Sequence, residues 1–252
     1  MSKKRSIIIS ILYIFLLIII NTGVVLGTTL IFNLISGLKV GTLEYIHSLA
    51  EFINKYQILI VLVSMCFWIP LIYKKIKNQE IKFCKINIKR LLLYLLITFI
   101  FNCLWNILLY YLGMMNVNNT NSLTITYLIA TCLLGPILEE FVFREIIYNK
   151  LKKVFNIKTS ILLISLFFSL YHLNIIQGIY AFIFSLLLTF IYEKSNNIFM
   201  PIVIHSIINL FSFLLIPIIL SSNYLLVIFI SLIVVGIEVI LSIYYKRKNK
   251  KD

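Results

Sequence analysis

Gly135-Pro136-Ile137-Leu138-Glu139-Glu140-Phe141-Val142-Phe143-Arg144-Glu145 places four charged side chains inside a run that otherwise reads as a membrane-spanning helix. From Leu91 to Asn149 the only charges are Glu139, Glu140, Arg144 and Glu145. A charge at mid-bilayer costs roughly 2.5–3.5 kcal/mol on insertion scales. A span that carries this cost four times marks a functional site, and the rest of the chain is read for what it brings there.

The surroundings are a multi-pass membrane protein. Of the 252 residues 61% are hydrophobic, and the mean hydropathy is +1.02, outside the range of soluble domains. A spanning helix needs about 20 apolar residues. Eight candidate runs meet that demand approximately: 7–35, 57–73, 91–113, 124–149, 159–173, 176–192, 199–220 and 223–245. The fold expected is all-α, a single transmembrane domain over residues 1–252. The first run follows Met1-Ser2-Lys3-Lys4-Arg5 like a signal peptide but lacks a small-x-small cleavage site, so it reads as a retained span.

The net charge of +14 does not indicate a nucleic-acid partner, because the cations cluster between apolar runs as the positive-inside pattern requires. With the N-terminus inside, 20 of the 23 cations fall on the inner side. Only Lys39 and Lys55 fall outside, and Arg144 lies within a span. That distribution predicts eight spans with both termini cytoplasmic. Residues 38–56 form an amphipathic outer segment, with His47 as an interfacial histidine. The four cysteines, Cys66, Cys84, Cys103 and Cys132, lack CxxC spacing and read as free thiols buried as small apolar residues. The Ile-, Lys- and Asn-rich composition points to a low-GC bacterium and its plasma membrane.

Within the fourth span, Glu140 and Arg144 are four residues apart and pair on one helix face. Glu139 is turned by about 100° from Glu140 and has no partner on its own helix. Pro136 loosens the helix one turn before the carboxylates, since it lacks an N–H and crowds the preceding turn. Two structural ion pairs, Glu140 with Arg144 and Glu145 with a loop lysine, are the plainer reading, but they leave Glu139 without a role. Two histidines also lie inside spans: His172, ending Phe167-Phe168-Ser169-Leu170-Tyr171-His172, and His205, which shares a face with Asn209. Singly, each is as well explained by helix–helix hydrogen bonding. Counted from the cytoplasmic ends at ~1.5 Å per residue, Glu139, His172 and His205 lie about 16, 18 and 12 Å deep. One carboxylate, two imidazoles and an amide thus converge from three helices.

One Glu and two His, here Glu139, His172 and His205, form a ligand set seen at catalytic zinc. Without metal the same residues form a general base for a bound water, with His205 and Asn209 as donors to an oxyanion. Either arrangement hydrolyses an acyl bond within the membrane. No Ser or Cys nucleophile motif accompanies the histidines, which favours activated water.

Glu139-Glu140-x-x-x-Arg144, Phe168-x-x-x-His172 and His205-x-x-x-Asn209 resemble, in order, the three motifs of the CAAX protease and bacteriocin-processing (Abi) family, which includes the Ras-converting CAAX endoprotease. The resemblance covers about residues 124–220. It implies an eight-helix intramembrane endopeptidase acting on a membrane-associated peptide or protein. Glu139 and His172 would activate water, His205 and Asn209 would form the oxyanion hole, and Glu140, Arg144 and Phe168 would support the site. The family was long labelled as metalloproteases; a metal-independent glutamate mechanism is now favoured, and no cofactor is expected, with zinc as the alternative.

Two other readings stay open from the sequence. One is a non-proteolytic bacteriocin self-immunity factor or membrane scaffold. The other is a transporter, which no inverted repeat supports. Glu238, in the last run, reads as a helix-packing partner, for instance for Arg144, or else as a substrate contact.

Overall fold

The structure is a computed structural model that describes residues 2–78, 86–114, 124–214 and 216–217. The eighth run, Glu238, Cys84 and the cations of 246–251 lie outside the described residues. Among the described residues every regular element is a helix: α1 (Lys3–Ser36), α2 (Leu43–Lys55), α3 (Gln57–Cys66), α4 (Ile69–Lys77), α5 (Ile88–Tyr111), α6 (Ile125–Leu151), α7 (Ile157–Tyr171), α8 (Ile175–Ser195) and α9 (Phe199–Leu214).

Four of these, α1, α5, α6 and α8, are long and apolar enough to cross a membrane, and α2 with α3 adds a fifth candidate bent by 58°. The chain is an integral membrane protein. The helices α7 and α9 are apolar but shorter. The run expected over 57–73 is broken at Phe67–Trp68. Pro70 causes this, since it cannot donate to the carbonyl of Cys66 and its ring clashes there. The chain restarts as α4 with Pro70 in the first turn, where a missing N–H costs nothing.

The described residues divide into two compact units, Met1–Lys85 with Leu123–Ser206, and Ile86–Ser122 with Ile207–Asp252. In the first unit α1 turns most of its surface outward: Leu12 is 59% exposed and Ile19 63%. It buries a stripe containing Ser6, Ser10, Ile14 and Leu17. In lipid, apolar surface gives helices little reason to associate, and small residues that admit close approach hold them instead. The hairpin of α7 and α8 shows the same device. Ser169 Oγ donates to the Gly178 carbonyl at 2.8 Å, and a Cβ at Gly178 would come within 3.2 Å of that Oγ. Gly178, Ala181, Ser185 and Thr189 form the buried small-residue face of α8.

Basic residues from separate segments gather at one end of this unit. The Ser6 hydroxyl donates to the Lys150 carbonyl at 3.4 Å, the Lys3 ammonium lies over the Phe155 ring, and Lys74, Lys75, Lys150, Lys152 and Lys153 line one cavity. At the opposite end of α1, the Tyr45 hydroxyl of the amphipathic helix α2 donates to Asn33 Oδ1 at 2.7 Å. Thr126, at the start of α6, donates to the Asn54 carbonyl at 2.9 Å. His47 is exposed. Of the cysteines, Cys103 and Cys132 are buried as expected, but Cys66, at the α3 break, is exposed; the turn before Pro70 takes it off a packed helix face. In the second unit Asn102 of α5 donates to Ser212 Oγ at 2.7 Å, and the rings of Phe99 and Phe211 lie 4.9 Å apart.

Candidate active site

The helix that carries the carboxylates is not wound uniformly. Ala130–Leu134 and Phe141–Tyr148 are π-helical, and between them Gly135–Glu140 is α-helical. Pro136 accounts for the first wide turn. In an α-helix its ring would meet the carbonyl of Cys132, four residues back. Here the preceding N–H, that of Gly135, bonds instead to the Ala130 carbonyl, five residues back. Gly135 permits this closure, because a Cβ there would lie 3.2 Å from the same oxygen. Wide turns of this kind recur at functional sites. Sequence periodicity does not register them, since it presumes α-helical winding throughout.

Glu140 and Arg144 form the pair expected from their spacing. Both are fully buried, with Arg144 Nε 3.0 Å from Glu140 Oε2. The angle at that contact falls short of a hydrogen bond, so the two are held as an ion pair. Arg144 Nη2 donates to Ser185 Oγ of α8 at 3.2 Å. The other oxygen of Glu140 reaches a different helix and accepts from His205 Nδ1 of α9 at 2.8 Å. Glu140 therefore bridges a cation on its own helix and an imidazole from the next-but-two. That bond leaves His205 Nε2 as the ring's remaining polar atom, and it faces Glu139 Oε2 at 3.8 Å. His205 is 4% exposed, whereas the Glu139 side chain is 20% exposed.

His172 sits just past the end of α7, before Leu173 turns the chain with a φ of 53° and Asn174 caps α8 by accepting from the Gln177 N–H at 3.0 Å. His172 Nδ1 lies 2.8 Å from the Phe168 carbonyl. A carbonyl only accepts, so Nδ1 carries a proton and the neutral ring keeps its lone pair on Nε2. One hydrogen bond thus satisfies an orphan carbonyl of the last helical turn and sets the tautomer a base or ligand at Nε2 needs.

Phe168 is the hub. Its ring centroid lies 4.9 Å from that of His172, 6.1 Å from that of His205 and 4.9 Å from that of Phe143. The Arg144 guanidinium stacks on it at 4.9 Å. Phe184 of α8 closes on His205 from another side at 5.2 Å. Tyr171, next to His172, is tied to α1, because Asn21 Nδ2 donates to its hydroxyl at 3.0 Å. The first unit thus holds six of the seven expected site residues, Glu139, Glu140, Arg144, Phe168, His172 and His205. The seventh, Asn209, lies four residues beyond His205 along α9 and falls in the second unit.

Residues 121–211 match the family model for Rce1-like proteins, type II CAAX prenyl endopeptidase. The similarity covers this segment of the chain. The Rce1-like segment holds all seven residues named from the three motifs. No curated protein and no solved structure matches the chain.

Several contributors had no signal in those motifs. Ser185, Phe184 and Asn21 enter from helices read only as apolar, although the four-residue spacing of Ser185, Thr189 and Glu193 marks a polar stripe on α8. Glu145 is likewise drawn into the interior. It is 2% exposed, and it accepts from the Tyr192 hydroxyl at 2.8 Å and from Asn149 Nδ2 at 3.1 Å. These two partners are a tyrosine of α8 and an asparagine on its own helix. As for zinc, no three His, Cys, Asp or Glu side chains among the described residues are gathered as one ion would require. Glu139, His172 and His205 in this arrangement do not fit a three-ligand site.

Proposed function

We propose that the protein is an intramembrane endopeptidase that hydrolyses a peptide bond of a membrane-associated substrate with a water activated by Glu139 and His172. The observation that carries this reading is that His172 and His205 both pack on Phe168 with their rings oriented through Nδ1, while His205 Nε2 faces Glu139 at 3.8 Å. The Rce1-like match supports a CAAX-type substrate, a peptide whose C-terminal residues are removed near a lipid-modified cysteine. In a bacterial host a peptide precursor carrying its own membrane anchor takes the same place.

In this reading Glu139 accepts a proton from water, assisted by His172 Nε2, and the hydroxide adds to the carbonyl carbon. The carbonyl oxygen becomes an oxyanion that needs donors as charge develops. His205 Nε2 faces the site, because Nδ1 is engaged by Glu140, and it donates when the ring carries both protons. Asn209 is kept as the second donor on its four-residue spacing alone. When the C–N bond breaks, the proton held by Glu139 passes to the departing amine. Glu140 and Arg144 orient His205 rather than touch substrate. Eight spans with both termini cytoplasmic complete the arrangement, supported by the basic residues gathered at one end of the first unit.

The test is cleavage of a prenylated CAAX peptide, and of a membrane-anchored precursor peptide, by the purified full-length protein in lipid. Glu139→Gln and His172→Ala are each expected to lower kcat by about 10²–10⁴-fold, the range for loss of a general base. Full cleavage by both variants would sink the assignment.

A further inference from the structure

Phe168-x-x-x-His172 leaves three positions unspecified, and the last of them, Tyr171, brings a polar group to the site. Its ring meets that of His172 edge-on, with centroids 5.4 Å apart at 80°, and packs against Phe143 at 5.5 Å. Its hydroxyl is held from α1, where Asn21 Nδ2 donates to it at 3.0 Å. Because the amide is the donor, the phenolic oxygen accepts there and keeps its own proton to give. Among the described residues no group accepts that proton. The Glu139 carboxylate is near enough to act on the hydroxyl electrostatically. Glu139 itself makes no hydrogen bond among the described residues, only the 3.8 Å approach to His205 Nε2. All of these residues belong to the first unit.

A water molecule has two protons and two lone pairs. Ionised Glu139 only accepts, and so does His172 Nε2, since Nδ1 carries the proton given to the Phe168 carbonyl. These two residues fix the water's protons and leave its lone pairs without direction. A donor beside them completes the grip: one lone pair accepts from it, and the other is left to attack. His205 Nε2 is committed to the oxyanion. We propose that Tyr171 is a further catalytic residue, whose hydroxyl donates to the attacking water and to the hydroxide formed from it. The proposal rests on the assignment of Glu139 and His172 given above. In the step, the water's O–H bond breaks with its proton passing to Glu139, the oxygen bonds to the carbonyl carbon, and Tyr171 keeps its proton throughout. A hydrogen bond to an oxygen gaining negative charge tightens as the charge develops, so it favours the transition state over the bound substrate.

The experiment is steady-state cleavage, by the full-length protein in lipid, of the prenylated CAAX peptide and the membrane-anchored precursor peptide. Tyr171→Phe keeps the ring and removes only the hydroxyl. It is expected to lower kcat by about 10–10²-fold, the worth of a hydrogen bond to a charged group, with KM unchanged. Asn21→Leu/Tyr171→Phe removes both polar partners and strands neither, so it is expected to lose as much kcat while unfolding at the wild-type midpoint. Asn21→Leu alone leaves the phenolic proton in place and is expected to lose only a small part of that. Wild-type kcat in Tyr171→Phe beside an inactive Glu139→Gln would overturn this proposal alone. So would a rise in KM without a fall in kcat, or an equal loss in Asn21→Leu and Tyr171→Phe, which would make the pair a strut between α1 and α7. No cleavage by the wild type, or full cleavage by Glu139→Gln, would overturn the assignment of Glu139 and this proposal with it.

Discussion

Glu140 divides its two oxygens between Arg144 on its own helix and His205 on another, and this division governs what substitutions there do. Removing one partner of a buried ion pair costs about 3–5 kcal/mol, because the other charge is left without compensation. Arg144→Met is therefore expected to destabilise the protein by about that amount, read from unfolding in mixed micelles. Glu140→Gln/Arg144→Met together should cost less than Arg144→Met alone, because no charge is then stranded. A double variant as unstable as the sum of the singles would contradict the pairing. His172 behaves differently, being half-buried and held by a hydrogen bond to the Phe168 carbonyl, worth about 1 kcal/mol net. His172→Ala should leave stability within about 1 kcal/mol of wild type while lowering kcat by about 10²–10⁴-fold, so the two measurements separate framework from chemistry.

At the scale of elements, the α7–α8 hairpin sets where Phe168 and His172 stand. Gly178 lies so close to Ser169 that an added Cβ would meet both its Oγ at 3.2 Å and its carbonyl oxygen at 3.3 Å. Gly178→Leu is expected to part the two helices, costing about 1–3 kcal/mol as overpacking does. Peptidase activity should fall well before helix content measured by circular dichroism does. Retained activity would show that the site tolerates movement of α7. The helices themselves were legible in the sequence, because runs of apolar residues long enough to span a bilayer have few other structures available to them. Their interruptions were less so. Pro70 breaks the second run, and Pro136 forces a wide turn rather than a break, since Gly135 stands beside it to take the strain. What a proline does depends on its neighbour's side chain, which a hydropathy pattern does not weigh.

At the scale of the whole molecule, the distribution of lysines decides orientation. Charge counting assigned residues near 3, 74 and 150 to one side, and the described residues bring these segments together at one end of the first unit. A variant with its four cysteines replaced by serine and a single cysteine at Lys39→Cys should react with an impermeant maleimide in intact cells. One at Lys194→Cys should react only after permeabilisation, and the reverse pattern would refute the topology. The ordered motifs made Glu139, Glu140, Arg144, Phe168, His172 and His205 legible as one set, because membrane helices rarely carry such residues without purpose. The supporting cast was not, since Asn21, Ser185 and Phe184 are individually unremarkable side chains in apolar helices, and only tertiary packing reveals what each one touches.

Each π turn of α6 has one residue more than an α-helix needs to cover the same rise. In evolutionary terms these are insertions absorbed without breaking the helix. Two related chains aligned without gaps across 130–148 could then agree in letters while differing in rotation. Deleting a single residue such as Leu133 would leave a spanning helix but swing everything after it by about 100° about the axis, turning Glu139 from His205 toward a different neighbour. In this helix the number of residues, as much as their identity, aims the carboxylates.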